Sequence, residues 1–483
     1  MSVTGQDDVA RPTPAGTLVV PVAIAVFAVT IAAVAARQSA FLIVAVCIPL
    51  AIVALMKFDW YFCAVVFLIP WNPTLDWKLP VRDVSLLAHA VLFCGVWIIR
   101  KQRGKSIKTW LFGSKLKQAV LLLGAVAAVS LALSPLSESG AFPALAKLLS
   151  YIALFFAAIG WLESREQIIG TLKLLLLSAV GVALFGFYQA LEQDFTPLYF
   201  RMYPMEEATF DAQGGWAGRI TSFLFHYNAL AGYLNVVIPV AIGATVLAKE
   251  RWLRYLGFVC ITTAVAALYL TGSRGGLIAL GGALSVTVWY LVPRRATIAV
   301  LLCSAVLSAA IALPLAPRES SQERLQSVDD FTQESRLALW GAAGLMFLSH
   351  PVLGVGYGNY KFLLHAYVPG ISDDLDSHNL YLQLLAETGI VGFLAFFVLL
   401  GAFARIGLKL RKTPDPYYRA IGVGVCGALV ATLLHGFVDF IFGVSPQFGN
   451  VFWLVLALGC AAFAMAQDLH EPTASEPAGA AGV

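Results

Sequence analysis

The sequence predicts an all-α, polytopic membrane protein with about 12–14 transmembrane helices and one long polar segment carrying short helices. Three observations lead there. Of 483 residues, 59% are apolar and only 12% are charged, where an ordinary globular domain carries ~25% charged residues. The apolar runs approach the ~20 residues that cross a bilayer as a helix. Runs such as "AVLLLGAVAAVSLALS" also lack the period-two alternation of a membrane barrel strand. Against this background the stretch from Pro314 to Glu387 is long, mixed in polarity and rich in charges, so the chemistry is expected there.

The N-terminal stretch 1–16 is polar and carries Asp7, Asp8 and Arg11. It has no basic n-region and no clear cleavage site, so the first apolar run reads as a retained helix behind a cytoplasmic tail. Fourteen candidate spans follow: 17–36, 40–56, 58–71, 84–99, 118–134, 144–162, 167–191, 221–248, 253–271, 277–292, 298–313, 389–404, 419–434 and 447–466. The third is short and ends at proline, which leaves twelve or thirteen open. Residues 17–313 then form a helical bundle interrupted by the polar loop 192–220.

The long segment 314–388 has parts of its own. Arg318–Glu334 is too hydrophilic for a core. "RLALWGAAGLMFLSHP" is a helix ending before Pro351, too short and too interrupted by glycine to span, and it reads as lying along the membrane surface. "LGVGYGNY" is a turn with Gly354, Gly356 and Gly358, and "PGISDDLDS" an acidic loop. "HNLYLQLLAETG" is a helix that Ser377 or Asp376 caps, feeding the next span. Residues 389–466 hold the C-terminal spans. The Ala-, Pro-, Glu- and Gly-rich 467–483 reads as a disordered cytoplasmic tail. The seven cysteines sit in or beside apolar runs with no CxxC spacing, as small buried hydrophobes rather than disulfide or zinc ligands.

Lys and Arg in short links set orientation. They cluster in 100–117, in 249–254, at Arg294 and Arg295, and in 405–419. Fourteen spans with both tails inside put all four clusters in the cytoplasm. The net charge of +4 therefore says little about nucleic acid. The opposite face, periplasmic in a bacterium, receives 192–220, 272–276, 314–388 and 435–446, and with them Arg219, Arg274, His378, His435 and Asp439.

His378 opens a helix at that surface, where a neutral imidazole can take a proton from a hydroxyl near neutral pH. Alone in a loop it would read as a surface or capping histidine, but Asn379 and Glu387 follow it before a Gly-Ile-Val-Gly entry to a span. Arg274 lies in "LTGSRGGLIAL". An unpaired guanidinium at depth costs ~2.5–3.5 kcal/mol, less if it snorkels to the boundary. Its planar fork matches phosphate oxygens, and Gly275 and Gly276 leave room for an anion. Arg219 alone would be an interfacial anchor. With Arg274 on one face, the two can clamp a pyrophosphate leaving group. Arg336 is a secondary candidate, pairing with Glu334 or with a phosphate. Asp373, Asp374 and Asp376 lack the regular spacing of a cation loop and read as solvated, so no metal is expected. The glycines of "LGVGYGNY" follow no strand, which argues against a nucleotide. His435 and Asp439, four apart, read as a structural pair. His226 and Tyr227, beside Asn228, are candidates for lining a cavity. No cofactor is expected.

"ESRLALWGAAGLMFLSHPVLGVGYGNY" and then "SHNLYLQLLAETGIVGF" resemble the O-antigen ligase and polymerase superfamily. The shared features are an Arg and Trp on one helix, a Pro-x-x-Gly-x-Gly turn, then His-Asn ahead of Glu-x-Gly. "GRITSFLFHYNALAGYL" and "GSRGG" fit upstream, in order and spacing, so that the resemblance covers about 200–400. It implies an inner-membrane glycosyltransferase without nucleotide sugar, whose donor is a glycan on undecaprenyl pyrophosphate. His378 would be the base, and Arg219 and Arg274 the pyrophosphate ligands. The ligases act on lipid A–core; relatives polymerise repeat units or glycosylate protein hydroxyls, and the motifs do not separate these. With no carboxylate pair at glycosidase spacing to argue for a covalent intermediate, direct attack by the acceptor hydroxyl inverts the anomeric centre. A rival of another class, a lipid-linked anion transporter, predicts broken or charged midplane helices and an inverted repeat, and neither is visible.

Overall fold

In this computed structural model the described residues are 57–71, 84–134, 141–194, 218–224, 226–291, 333–368 and 375–468. The expected spans 17–36, 40–56 and 298–313, most of the loop 192–220, Asp373, Asp374 and nearly all of the C-terminal tail lie outside them. The chain divides into two units, residues 1–62 and 63–483; the first is described only from 57 onward.

Every regular element among the described residues is a helix. In order these are α1 (Phe58–Leu68, then a 3-10 turn Ile69–Trp71), α2 (Val84–Gln102), α3 (Ile107–Phe112), α4 (Lys115–Ala132), α5 (Phe142–Trp161), α6 (Arg165–Glu192), α7 (Tyr227–Leu247) and α8 (Arg251–Leu270). They continue with α9 (Arg274–Leu291), α10 (Gln333–Ser349), α11 (Tyr360–Tyr367), α12 (Leu380–Leu410), α13 (Pro416–His435), α14 (Ile441–Val444) and α15 (Pro446–Asp468). Nine of the described helices are long and apolar enough to cross a membrane. This is a polytopic all-α membrane protein, as expected. Among the boundaries that move, the span placed at 221–248 begins only at Tyr227, because His226 is extended and caps the helix with its ring.

The bundle is built around α13. It packs on α7, α9, α12 and α15. Some 78% of the apolar stretch of α7, α13 and α15 is buried, against 33% for α4 and α12, so the first three form the interior and the last two face outward. Small residues allow the approach: a Cβ built at Gly243 of α7 would lie 2.5 Å from the Ala420 carbonyl oxygen of α13.

Polar links join at one end of the bundle. Arg100 and Lys105 pair with Glu163 at 2.7 and 2.5 Å, Arg165 with Asp415 at 2.7 Å, and Lys173 with Glu250 at 2.6 Å. Arg411 donates to the Tyr290 carbonyl at 2.9 Å. Each exposed pair is worth ~0–1 kcal/mol; their value here is to show that the basic links share an end. The starts of α7, α9 and α12 and the finish of α13 therefore meet at the other end.

The helix read at "HNLYLQLLAETG" and the span after it are one element, α12, broken at Gly389 (φ 60°, ψ −163°). That conformation is essentially restricted to glycine. The break frees backbone groups that need partners, and the turn after α10 supplies them. Val355 and Gly356 amides donate to the Ala386 and Glu387 carbonyls at 2.8 and 3.2 Å; Ile390 and Val391 amides donate to the Pro351 and Val352 carbonyls at 2.9 and 3.3 Å. Gly354 (φ +71°) faces the break, where a Cβ would sit 2.5 Å from the Ala386 oxygen. Gly354 and Gly356 of "LGVGYGNY" thus serve a backbone splice. Leu339, Met346, Val355, Tyr360, Leu364 and Ala386 fill the space between α10, α11 and α12. The outer face of α10 exposes Leu337, Leu345 and Leu348. Gly389→Ala is expected to destabilise the protein by about 1–3 kcal/mol, read as a lower melting temperature in detergent. An unchanged melting temperature would contradict the splice.

Candidate functional site

His378 is held where the beginning of α12 docks on the end of α13. Asn379 caps α12, its Oδ1 accepting from the Tyr381 and Leu382 amides at 3.0 and 3.1 Å, the ordinary capping role of Asn. Its Nδ2 donates to the Phe437 carbonyl at 3.1 Å. The Leu380 amide donates to the Gly436 carbonyl at 2.7 Å, and Tyr381 Oη to the Leu433 carbonyl at 2.6 Å. From the other side Trp340 Nε1 of α10 donates to the Ser377 carbonyl at 3.1 Å. Between these anchors His378 adopts φ +49°. The left-handed region is uncommon for a side-chain-bearing residue, although histidine is among those enriched there, and it stores about 1–3 kcal/mol.

That backbone turns the imidazole onto Asp439, with Nδ1 3.2 Å from Oδ1. Asp439 is 2% exposed and the His378 side chain 23%. Burial pushes the His378 pKa down, but the hydrogen bond and charge of Asp439 outweigh it and raise the pKa above its ordinary value, against the opposing charge of Arg336. For Asp439 burial pushes up, and the His378 hydrogen bond and charge more than reverse it, holding the carboxyl below the usual range. The contact assigns the proton to Nδ1 and the lone pair to Nε2, the tautomer a general base requires.

The arginines flank the start of α9. Arg219 stacks on Tyr227, Cζ 4.5 Å from the ring centroid. It also runs alongside Gly272, where a Cβ would lie 3.4 Å from Arg219 Nε. Ser273 Oγ accepts from the Gly276 amide at 3.1 Å and donates to Asn228 Oδ1 at 2.7 Å, tying the "GSRGG" turn to α7. Arg274 is exposed. Gly275 lies against the last turn of α13, where a Cβ would meet Val438 and the His435 ring. His226 sits among these groups. Burial pushes its imidazole down to about 4, Asp439 opposing and His378, Arg219 and His435 adding, so it is neutral at pH 7. Its Nδ1 accepts from the Asn228 amide at 3.1 Å.

The structure thus brings Arg219, Arg274 and His378 to one end of the bundle, linked through the close of α13. Arg336, in the first turn of α10, lies near enough for its charge to act on His378, and its Nε has no hydrogen-bond partner among the described residues. Asn379 positions backbone. Glu387 is 3% exposed and accepts from Gln383 Nε2 at 2.9 Å and the Tyr360 amide at 3.4 Å, binding α12 to α11. Of the acidic loop, Asp376 is not freely solvated: it accepts from Gln383 at 3.3 Å. Burial raises its pKa to about 6, with His378, Lys147 and Lys361 opposing.

The pairing of His435 with Asp439 does not form. The Asp439 carboxylate is taken by His378 across 61 residues and by the Phe440 amide at 2.8 Å. Both ring nitrogens of His435 are without a hydrogen-bond partner among the described residues. The i,i+4 rule assumes a continuing helix, and α13 stops at His435, so Asp439 lies in the turn beyond it.

Residues 258–397 match the family model described as O-antigen ligase. The chain is also 23% identical over 346 residues to the teichuronic acid biosynthesis protein TuaE of Bacillus subtilis (strain 168), a match covering 66% of this chain and 65% of that relative. The matched stretch contains Arg274, α10 with its turn, and His378, three of the motifs on which the resemblance was read; the fourth, around Arg219, lies before it. Over residues 258–397 this membrane protein is similar to the O-antigen ligase family.

Proposed function

We propose that the protein is a glycosyltransferase of the bacterial inner membrane. It moves a glycan from undecaprenyl pyrophosphate to an acceptor hydroxyl at the periplasmic face, as an O-antigen ligase acting on lipid A–core. The observation that carries this reading is the His378–Asp439 pair, held at the same bundle end as Arg219 and Arg274. The anomeric carbon of such a donor already bears a good leaving group. His378 Nε2 accepts the acceptor's proton as its oxygen attacks, and Asp439 stabilises the imidazolium that forms. The arginines offset the charge gathering on the departing diphosphate. One displacement inverts the anomeric centre. The relative named for teichuronic acid biosynthesis favours a second reading, in which the acceptor is a growing polysaccharide.

Transfer with purified protein, a lipid-linked glycan and each acceptor class tests the proposal: lipid A–core, a glycan primer, and a protein rich in Ser and Thr. Product on lipid A–core supports the ligase; product on the primer alone moves the assignment to polymerase. No product on any acceptor, from protein that binds donor, counts against transfer altogether. Two arginines supply the positive charge in this scheme, so EDTA is expected to leave transfer intact. Loss on chelation restored by Mg²⁺ would overturn the metal-independent mechanism.

A further inference from the structure

The end of α13 holds a group the mechanism above does not use. His435 is 1% exposed, and both its nitrogens lack a hydrogen-bond partner among the described residues. A buried polar group left so costs about 1–3 kcal/mol, and such exceptions in a folded protein call for an explanation. The ring's position supplies one. Its Cδ2–Nε2 edge faces the first turn of α9: a Cβ built on Gly275 would lie 3.2 Å from Cδ2 and 3.4 Å from Nε2. A side chain at Gly275 would crowd both that edge and Val438, which lies beside it.

The α9 terminus is itself suited to an anion. Ser273 Oγ takes the Gly276 amide, and the Ser273 carbonyl takes the Leu277 amide at 3.0 Å. The amides of Arg274 and Gly275 remain unclaimed among the described residues, at the positive end of an 18-residue helix. Helix N-termini with unpaired amides bind phosphate groups. Arg274 adds an exposed guanidinium, and the buried His435 imidazole lies against the same turn.

We propose that the Arg274 and Gly275 amides and the His435 imidazole form an anion subsite that takes one phosphate of a diphosphate, His435 donating its Nε2 proton to a phosphate oxygen. This rests on the reading of the donor as a lipid-linked diphosphate and assigns that group a second, buried contact beside the arginine clamp. It also accounts for the first of the two glycines after Arg274: Gly275 leaves room between imidazole and anion.

The test is binding, measured on the full-length protein in detergent or vesicles with three probes: undecaprenyl pyrophosphate, undecaprenyl phosphate and inorganic pyrophosphate. His435→Phe keeps an aromatic ring and removes the donor; in protein that still unfolds cooperatively it is expected to weaken undecaprenyl pyrophosphate binding about 10- to 100-fold, the scale of one hydrogen bond to a charged group. His435→Gln restores an N–H donor and is expected to recover most of the affinity, which a merely structural histidine would not show. Wild-type affinity in a folded His435→Phe protein overturns the subsite. Should that variant not fold, Gly275→Ala carries the test, because its methyl group takes up that room; undiminished pyrophosphate binding there overturns the proposal equally. Lipid binding independent of His435 removes the subsite and leaves the donor reading standing. Binding of inorganic pyrophosphate through His435 without binding of either lipid does the reverse.

Discussion

His378→Ala lowers glycan transfer by roughly 10²–10⁴-fold, the usual share of a general base, while donor affinity stays near that of the wild type. The imidazole acts on the acceptor hydroxyl, and the diphosphate is held elsewhere. The pH dependence carries the sign of the pair. The base form is neutral, and Asp439 raises the His378 pKa above 6.5 against the effect of burial. Activity is therefore full at alkaline pH and falls as pH drops through that raised value. Asp439→Asn removes the charge that raises it, so the acid limb moves to lower pH and the rate falls with it. The same shifts bear on stability in opposite directions. The contribution of His378 is full below 6.5 and fades as pH rises through the raised value. That of Asp439 is present above 3.8 and fades as pH falls through its depressed value. A capping histidine without a chemical role would instead give a lower melting temperature, no acid limb, and equal losses in donor binding and turnover.

Arg274→Ala and Arg219→Ala are each expected to lower transfer about 10²–10³-fold, the scale of removing one donor from developing charge, at near-normal protein levels. The two should differ in character. Arg274 is exposed and leads α9, so its loss acts on the ligand alone. Arg219 is stacked on Tyr227 and runs beside Gly272, so its removal also loosens the turn before α9. Arg274→Lys should retain partial activity, because an ammonium keeps the charge but not the fork of donors. Full transfer in both alanine variants would remove the clamp.

Much of this was legible in the sequence, for physical reasons. Lipid forces apolar runs of nearly fixed length, so most described spans appear within a few residues of their expected places. Glycine marked the turn at 354–358, whereas the break at Gly389 was not foreseen: the helix before it was read as feeding straight into the span. His378 and both arginines stood out because charge and imidazole at the edge of an apolar run are costly without a use. The partner of His378 was not legible. Asp439 is 61 residues away and reaches His378 only because α12 starts against the end of α13, a docking made by Asn379, Tyr381 and the Leu380 amide on α13-end carbonyls, which local spacing does not reveal. The i,i+4 spacing pointed instead to His435, the wrong histidine. Glu387, singled out beside the His-Asn motif, turned inward for a similar reason: the break two residues later opens the helix to the α10–α11 turn, and the carboxylate follows.

The most direct measurement is a single-turnover experiment on purified protein in vesicles, with donor binding, glycan transfer and release of undecaprenyl pyrophosphate followed on the same sample for wild type and His378→Ala. The account predicts one undecaprenyl pyrophosphate released per glycan transferred and an inverted linkage in the wild type. In the variant it predicts undiminished donor binding with both later steps slowed together by roughly 10²–10⁴-fold. Transfer at the wild-type rate by His378→Ala, or retention of anomeric configuration in the product, would contradict it.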